Sequence, residues 1–181
     1  MFKMAMKENS ASQKFSAKKP EKEILRILPC RGIYTLIIFL SKRKTLEIGR
    51  LGKATFPKGY YAYTGSALGP HDRSLQSRVY RHLCKEKPLR WHIDYLLKCA
   101  EAIVKAVLAA ETSERKECEI NKLIAEKLEG KIIVKGFGAS DCKENCGSHL
   151  IFLNERENAD YEISMIYQKC FGDNFTFLAL A

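Results

Sequence analysis

The sequence of 181 residues predicts an α/β fold of the α+β type, in which a small central antiparallel sheet is flanked by helices. The first observation is that residues 32–40 (GIYTLIIFL), 45–50 and 60–64 favour strands and are separated by short polar turns. Short turns join antiparallel neighbours, so these segments predict a meander at the start of the fold. The second observation is that apolar residues recur at helical spacing later in the chain.

The later elements are predicted one after another. Leu75, Val79 and Leu83 recur four residues apart after Ser74, a plausible N-cap, and Pro88 ends this helix. The clearest helix has an apolar stripe that includes Ile120 and Ile124. In chain order the expected elements are a helix at 74–87, a helix at 91–99, a strand at 102–110, a helix at 114–129 and short strands at 131–135 and 149–153.

The chain length suits one folded domain with two extensions. Residues 1–23 are rich in Lys and Ser and contain no apolar block of signal-peptide length, which predicts a basic disordered tail. Residues 24–154 form the expected domain, and residues 155–181 have a weaker pattern that predicts an accessory segment. No apolar run approaches the roughly 20 residues of a membrane-spanning helix, so we expect a cytoplasmic protein with no membrane partner.

The positive charge is concentrated in the first hundred residues. Residues 1–40 carry 8 basic and 3 acidic side chains, residues 41–100 carry 13 and 4, and residues 101–181 carry 10 and 14. Such an excess indicates a polyanionic partner, although a solvated basic face would have the same composition.

A cysteine- and histidine-bearing loop provides candidate zinc ligands. The seven cysteines are an odd number without an export signal, which argues against a disulfide framework. Cys142, Cys146 and His149 are the residue types that bind zinc, and a fourth ligand would come from Cys118 or His92. The alternative is a polar loop with one or two buried thiols.

Two tyrosines lie beside glycines on strands of the same predicted sheet, in Gly32-Ile33-Tyr34 and Tyr63-Thr64-Gly65. On physical grounds alone they would be core or edge aromatics, since tyrosine is common in strands. With Arg78 and His82 on the next helix and Glu119 on a later one, however, their order resembles that of the GIY-YIG nuclease superfamily.

Longer motifs resemble one uncharacterised branch of that superfamily, whose domain stands alone or is fused to endonuclease III-like DNA glycosylases. The motifs extend the resemblance to about residue 150 and occur at residues 56–61 (FPKGYY), 65–69 (GSALG), 91–95 (WHIDY), 117–119 (ECE), 136–142 (GFGASDC) and 148–150 (SHL). The resemblance implies a divalent-metal-dependent DNA endonuclease, with a functional link to base-excision glycosylases and to DNA repair.

The resemblance also implies roles for individual residues. Tyr34 would orient or deprotonate the attacking water, and Tyr63 and Arg78 would bind the phosphate. His82 would assist proton transfer or contact the phosphate. Glu119 would bind Mg²⁺ or Mn²⁺, although Glu114, Glu117 and Glu126 compete for that role. The candidate contacts to branched, damaged or single-stranded DNA are Arg50, Lys58, Ser66, Arg73, Arg81 and Lys85.

One departure leaves a second function open. Between Tyr34 and Tyr63 lie 28 residues, a much longer interval than is typical of the superfamily. The alternative hypothesis is therefore a catalytically inactive nucleic-acid-binding module of the same fold.

Overall fold

A computed structural model describes residues 22–69, 74–140 and 142–180, so the predicted tail lies almost wholly outside the described residues. Within them, no helix is both long enough and apolar enough to cross a bilayer. The elements are β1 (Gly32–Leu40), β2 (Lys44–Glu47), β3 (Lys53–Phe56), β4 (Gly59–Ala67), α1 (Leu75–Leu83), α2 (His92–Leu97), β5 (Ala102–Ala110), α3 (Glu117–Lys127), β6 (Leu150–Phe152), α4 (Ala159–Phe171) and β7 (Phe175–Ala179).

A five-stranded antiparallel sheet forms the middle layer, in the order β6-β4-β1-β5-β7. This confirms the predicted α+β class. Helices α1 and α2 cover one face, where their side chains pack with Leu36 and Ile38 of β1. Helices α3 and α4 cover the other face, where they pack with Ile33 and Ile37. Because β1 is buried on both faces, its sequence is a nearly continuous apolar run.

The sheet differs from the predicted meander in one respect. Strand β2 pairs with β3 in a separate two-stranded sheet, and not with β1 as its place in the chain suggested. Both edges of β1 are already occupied, by β4 and β5, so no edge remains for a third partner. Residues 131–135 form only an isolated bridge between Lys131 and Phe152 in place of the expected strand.

Residues 155–180, the described part of the expected accessory segment, belong to the domain core. Strand β7 pairs with β5 and completes the central sheet. Helix α4 buries Ile163 and Tyr167 completely against the sheet. The Tyr167 hydroxyl also lies 2.9 Å from Thr35 Oγ1 on β1, so a buried hydrogen bond ties this helix to the centre of the fold.

Candidate functional site

The two tyrosines of the motifs lie on the same face of the central strand pair. Tyr34 pairs with Gly65 in the β1–β4 register, and Leu36 pairs with Tyr63. A methyl group added at Gly65 would lie 2.6 Å from the Tyr34 hydroxyl, so only glycine lets this ring lie across the β4 backbone. The long interval between the tyrosines forms the β2–β3 hairpin outside the central sheet and leaves their pairing intact.

Helix α1 brings Arg78 and His82 to the tyrosines. They are four residues apart and therefore share one face of the helix. His82 Nε2 lies 2.8 Å from the Tyr34 hydroxyl oxygen. Arg78 donates a hydrogen bond of 2.5 Å to the Ser66 carbonyl oxygen, and its guanidinium lies 5.2 Å from the centre of the Trp91 ring. Strand β4, helix α1 and the Trp91 ring thus fix the Arg78 cation beside the tyrosine pair.

The Tyr34–His82 pair is neutral. Burial, reinforced by the proximity of Tyr63, raises the pKa of Tyr34 well above its ordinary value. Burial, followed by the positive charge of Lys87, lowers the pKa of His82 to about 3. Neither group therefore ionises near neutral pH, and the pair is joined by an ordinary hydrogen bond between a phenol and an imidazole.

The surroundings of His82 determine which ring nitrogen carries its proton. Nδ1 has no hydrogen-bond partner within the described part of the chain and lies 3.9 Å from Asp94 Oδ1. An N–H at Nδ1 is attracted to that carboxylate, whereas a lone pair there would be repelled. We therefore assign the proton to Nδ1, so Nε2 accepts a hydrogen bond from Tyr34.

Asp94 is a fully buried carboxylate with two cationic partners. Arg81 donates to both of its oxygens at 2.8 and 3.0 Å, and Lys87 Nζ lies 3.7 Å away. Backbone N–H groups of Arg90 and Trp91 also donate to it. Burial opposes ionisation, but these hydrogen bonds outweigh it and lower the pKa of Asp94. Asp94 therefore provides a permanent negative charge behind His82.

The structure assigns internal roles to two of the predicted DNA contacts. Arg81 is occupied by Asp94 and by the Pro88 carbonyl oxygen at 2.6 Å. Lys85 donates to the carbonyl oxygens of Leu97, Cys99 and Ala102 at 2.5–3.0 Å. Sequence reasoning could not separate these cations from exposed ones, because their partners are distant in the chain.

The other predicted contacts have different environments. Ser66 lines the cleft described below. Arg50 is exposed, and Lys58 is exposed in an ion pair of 2.8 Å with Glu155. Arg73 lies outside the described residues.

Glu117 and Glu119 lie on different sides of α3. Successive helical residues are rotated by about 100°, so positions two apart face nearly opposite directions. Glu117 is half-buried, accepts a hydrogen bond from the Ser66 hydroxyl and lines the cleft. Glu119, contrary to expectation, lies outside the cleft and pairs at the surface with Lys116 at 3.7 Å. Glu114 also pairs with Lys116, and Glu126 is exposed.

The tyrosine pair, Arg78, His82 and Glu117 line one cleft of about 320 Å³. Its described lining includes Tyr34, Tyr63, Ser66, Arg78, His82, Trp91, Arg115, Glu117, Gly138 and His149. Arg115, which carried no sequence signal, adds a second arginine to Arg78. Glu117 is the sole carboxylate among the described lining residues, so the cleft combines an acidic ligand with two guanidinium groups.

A Cys₃His cluster adjoins the cleft. The donor atoms of Cys118, Cys142, Cys146 and His149 all lie within 4.8 Å of one another, and such a set can hold a metal ion such as zinc. Of the two candidates for the fourth position, the structure brings Cys118 into the cluster. His92 instead accepts a hydrogen bond of 3.1 Å from the Gly138 N–H.

The fold and site define an α+β domain with a cleft that holds tyrosine, histidine, arginine and glutamate side chains. Residues 33–171 match a protein family described as "Domain of unknown function DUF123", and the chain belongs to this family. No curated protein and no solved structure shows a significant match to the chain.

Proposed function

We propose that the protein is a divalent-metal-dependent DNA endonuclease of the GIY-YIG type. The observation that carries this proposal is that Tyr34, Tyr63, Arg78, His82 and Glu117 line one cleft. Hydrolysis of a phosphodiester requires an activated water and neutralised phosphate charge, and these side chains are suited to both tasks.

The Tyr34–His82 hydrogen bond provides a path for the proton of the attacking water. As the water loses a proton to the Tyr34 oxygen, the phenol proton moves to His82 Nε2. It moves along the hydrogen bond that joins these two atoms at 2.8 Å. The imidazolium that forms faces the Asp94 carboxylate across 3.9 Å. His82 thus acts as the proton acceptor through Tyr34, and Asp94 stabilises the charge that it gains.

The phosphate would be bound by the cationic and hydroxyl groups of the cleft. Arg78 is held by Ser66 and Trp91, and a guanidinium has five donors, so it can also donate to phosphate oxygens. Arg115 offers a second cation at the same cleft. The Tyr63 hydroxyl is a further donor for a phosphate oxygen.

Glu117 is the residue that would hold Mg²⁺ or Mn²⁺. A hard cation at a phosphoryl-transfer site commonly takes one or two carboxylates and completes its shell with water and substrate phosphate. The single carboxylate in the described cleft lining fits this arrangement. When bound, the ion would neutralise phosphate charge and make the attacking water more acidic, which offsets the low basicity of the buried His82.

The test is cleavage of a panel of labelled DNAs by the purified full chain with Mg²⁺ or Mn²⁺. The panel contains branched, single-stranded, damaged and abasic-site substrates, the last chosen because a base-excision glycosylase is the proposed functional partner in repair. We expect cleavage of at least one substrate, abolished by Tyr34→Phe or Arg78→Ala. Absence of cleavage across the panel, or cleavage unchanged by both substitutions, would refute the proposal.

A second candidate is a DNA-binding module without catalytic activity. It is favoured by the burial of Tyr34, which is 1% exposed and whose pKa is raised, because a buried neutral phenol is a poor base. This candidate predicts salt-sensitive DNA binding without cleavage under all metal conditions. Affinity that stays constant between low and moderate salt would exclude it. For either function we propose that the protein works in the cytoplasm.

A further inference from the structure

The donor atoms of the Cys₃His cluster are spaced like the ligands of a single metal ion and not like the sulfurs of a disulfide. The Sγ atoms of Cys118, Cys142 and Cys146 are 3.1, 3.2 and 3.4 Å apart, and His149 Nε2 lies 3.6 Å from the Cys118 sulfur. A disulfide bond is about 2.05 Å long. Tetrahedral zinc with bonds of about 2.3 Å separates its sulfur ligands by about 3.8 Å. A small outward movement of the donors would therefore accommodate one ion.

From this geometry we infer that Cys118, Cys142, Cys146 and His149 bind one Zn²⁺ ion in a closed, structural site. Three thiolates and one imidazole form a complete tetrahedral set, with no position left for substrate or water. Soft thiolate ligands in tetrahedral array favour zinc over Mg²⁺ or Mn²⁺. The site is thus distinct in chemistry from the proposed ion at Glu117.

The position of the cluster shows what the ion would stabilise. Cys118 lies in the first turn of α3, whereas the other three ligands lie in the segment between Gly136 and β6. Within that segment the backbone is closed by bonds from Gly136 N–H to Gly147 O at 2.6 Å and from His149 N–H to Phe137 O at 2.8 Å. The ion would cross-link this irregular loop to a helix of the opposite face.

The cross-link lies directly behind the cleft. Glu117 precedes Cys118, and Gly138 and His149 of the loop line the cleft themselves. Fixing the start of α3 and the loop in one unit would therefore fix the cleft wall that carries Glu117. The inference concerns metal content and stability, so it does not depend on the proposed cleavage activity.

The test uses the untagged full chain, purified without chelators, with zinc measured by elemental analysis. We expect about one zinc per chain in the wild type and near zero in Cys142→Ser, while the matched control Cys84→Ser, which removes a thiol outside the cluster, keeps its zinc. Replacing zinc with Co²⁺ should give the visible absorption of a tetrahedral thiolate complex, and its loss in Cys142→Ser would locate the ion.

A measurement on the wild type alone covers the case in which Cys142→Ser does not fold. Adding a strong chelator should remove the zinc, lower the melting temperature and expose three additional reactive thiols. Wild-type protein that holds no zinc after incubation with excess ion and dialysis would overturn the inference. A Cys142–Cys146 disulfide in freshly purified protein, or zinc retained by folded Cys142→Ser, would also overturn it.

Discussion

The Tyr34 hydroxyl and His82 Nε2 lie 2.8 Å apart, and both side chains are almost completely buried. Their hydrogen bond joins β1 to α1 at the floor of the cleft. Burial makes each partner harder to ionise, so neither side chain is charged at neutral pH. In the proposed mechanism, a proton that reached His82 would be stabilised by Asp94 at 3.9 Å.

The first prediction concerns the pH dependence of folding stability. The pKa of His82 is about 3 in the folded protein, against an ordinary value of 6.5. The unfolded chain therefore binds the extra proton between these values, and stability falls as the pH decreases, by up to about 1.4 kcal/mol per pH unit. Urea unfolding between pH 4.5 and 6.5 measures this slope. Asp94 stays ionised in this range because its pKa is lowered.

The matched comparison is His82→Gln, which removes the titrating group. The contribution of His92, whose pKa is also lowered by burial, is common to both proteins and cancels in the difference. The charged and titratable neighbours of His82, namely Asp94, Lys87, Arg81, Arg78 and Tyr34, are likewise present in both. Equal slopes for the two proteins would contradict a neutral His82.

The second prediction separates the two glutamates of α3. Glu117→Gln removes the carboxylate in the cleft and should lower metal-dependent cleavage at least about 100-fold, the scale of losing a major electrostatic contact in a transition state. Glu119→Gln removes an exposed carboxylate outside the cleft, so we expect cleavage within about twofold of wild type and a stability change below about 1 kcal/mol.

Rates of cleavage at several Mn²⁺ concentrations measure both effects and show whether excess ion rescues Glu117→Gln. Thermal unfolding serves as the folding control for the pair. If Glu119→Gln were the damaging substitution, the proposed ion site would be misplaced.

The α+β class and most elements could be predicted from sequence because strands and helices leave local patterns. Residues 102–110 form the predicted strand β5, and helices α1, α2 and α3 lie within their predicted ranges. The separate β2–β3 sheet could not be predicted, since it depends on β5 occupying the second edge of β1. The β1–β5 pairing joins residues about 60 to 80 positions apart in the chain and leaves no local signal.

The candidate site shows the same division. The tyrosine, arginine and histidine positions followed from motifs, and these residues meet in the cleft. Glu117 lines the cleft in place of the expected Glu119 because of the way α3 is rotated about its axis against the sheet. The apolar stripe of a helix predicts that rotation only when the surface it packs against is known. Cys118 could be named only as one of two candidates, because the loop that faces it has no periodic pattern.

The third prediction concerns the buried carboxylate behind His82. Asp94→Asn leaves Arg81 and Lys87 without their counter-charge in a buried site, where loss of one partner costs about 3–5 kcal/mol. The surface substitution Glu155→Gln breaks the exposed pair with Lys58, and we expect a much smaller loss of stability because water screens that pair. Chemical denaturation of both variants measures the difference in unfolding free energy. Similar losses of stability would show that Asp94 does not compensate the buried charge of the two cations.

The fourth prediction concerns the C-terminal residues. A chain that ends at residue 154 lacks α4 and β7, so it loses the fully buried Ile163 and Tyr167 and leaves the outer edge of β5 unpaired. Removing one large buried side chain typically costs about 2–5 kcal/mol, and a domain of this size is stable by about 5–15 kcal/mol. We therefore expect the truncated chain to be unfolded or aggregated by circular dichroism and size-exclusion chromatography.

Truncation after residue 180 is the control, because it removes no described element and should preserve a cooperative unfolding transition. If the chain that ends at residue 154 were soluble and cooperatively folded, the last helix and strand would be dispensable for the fold.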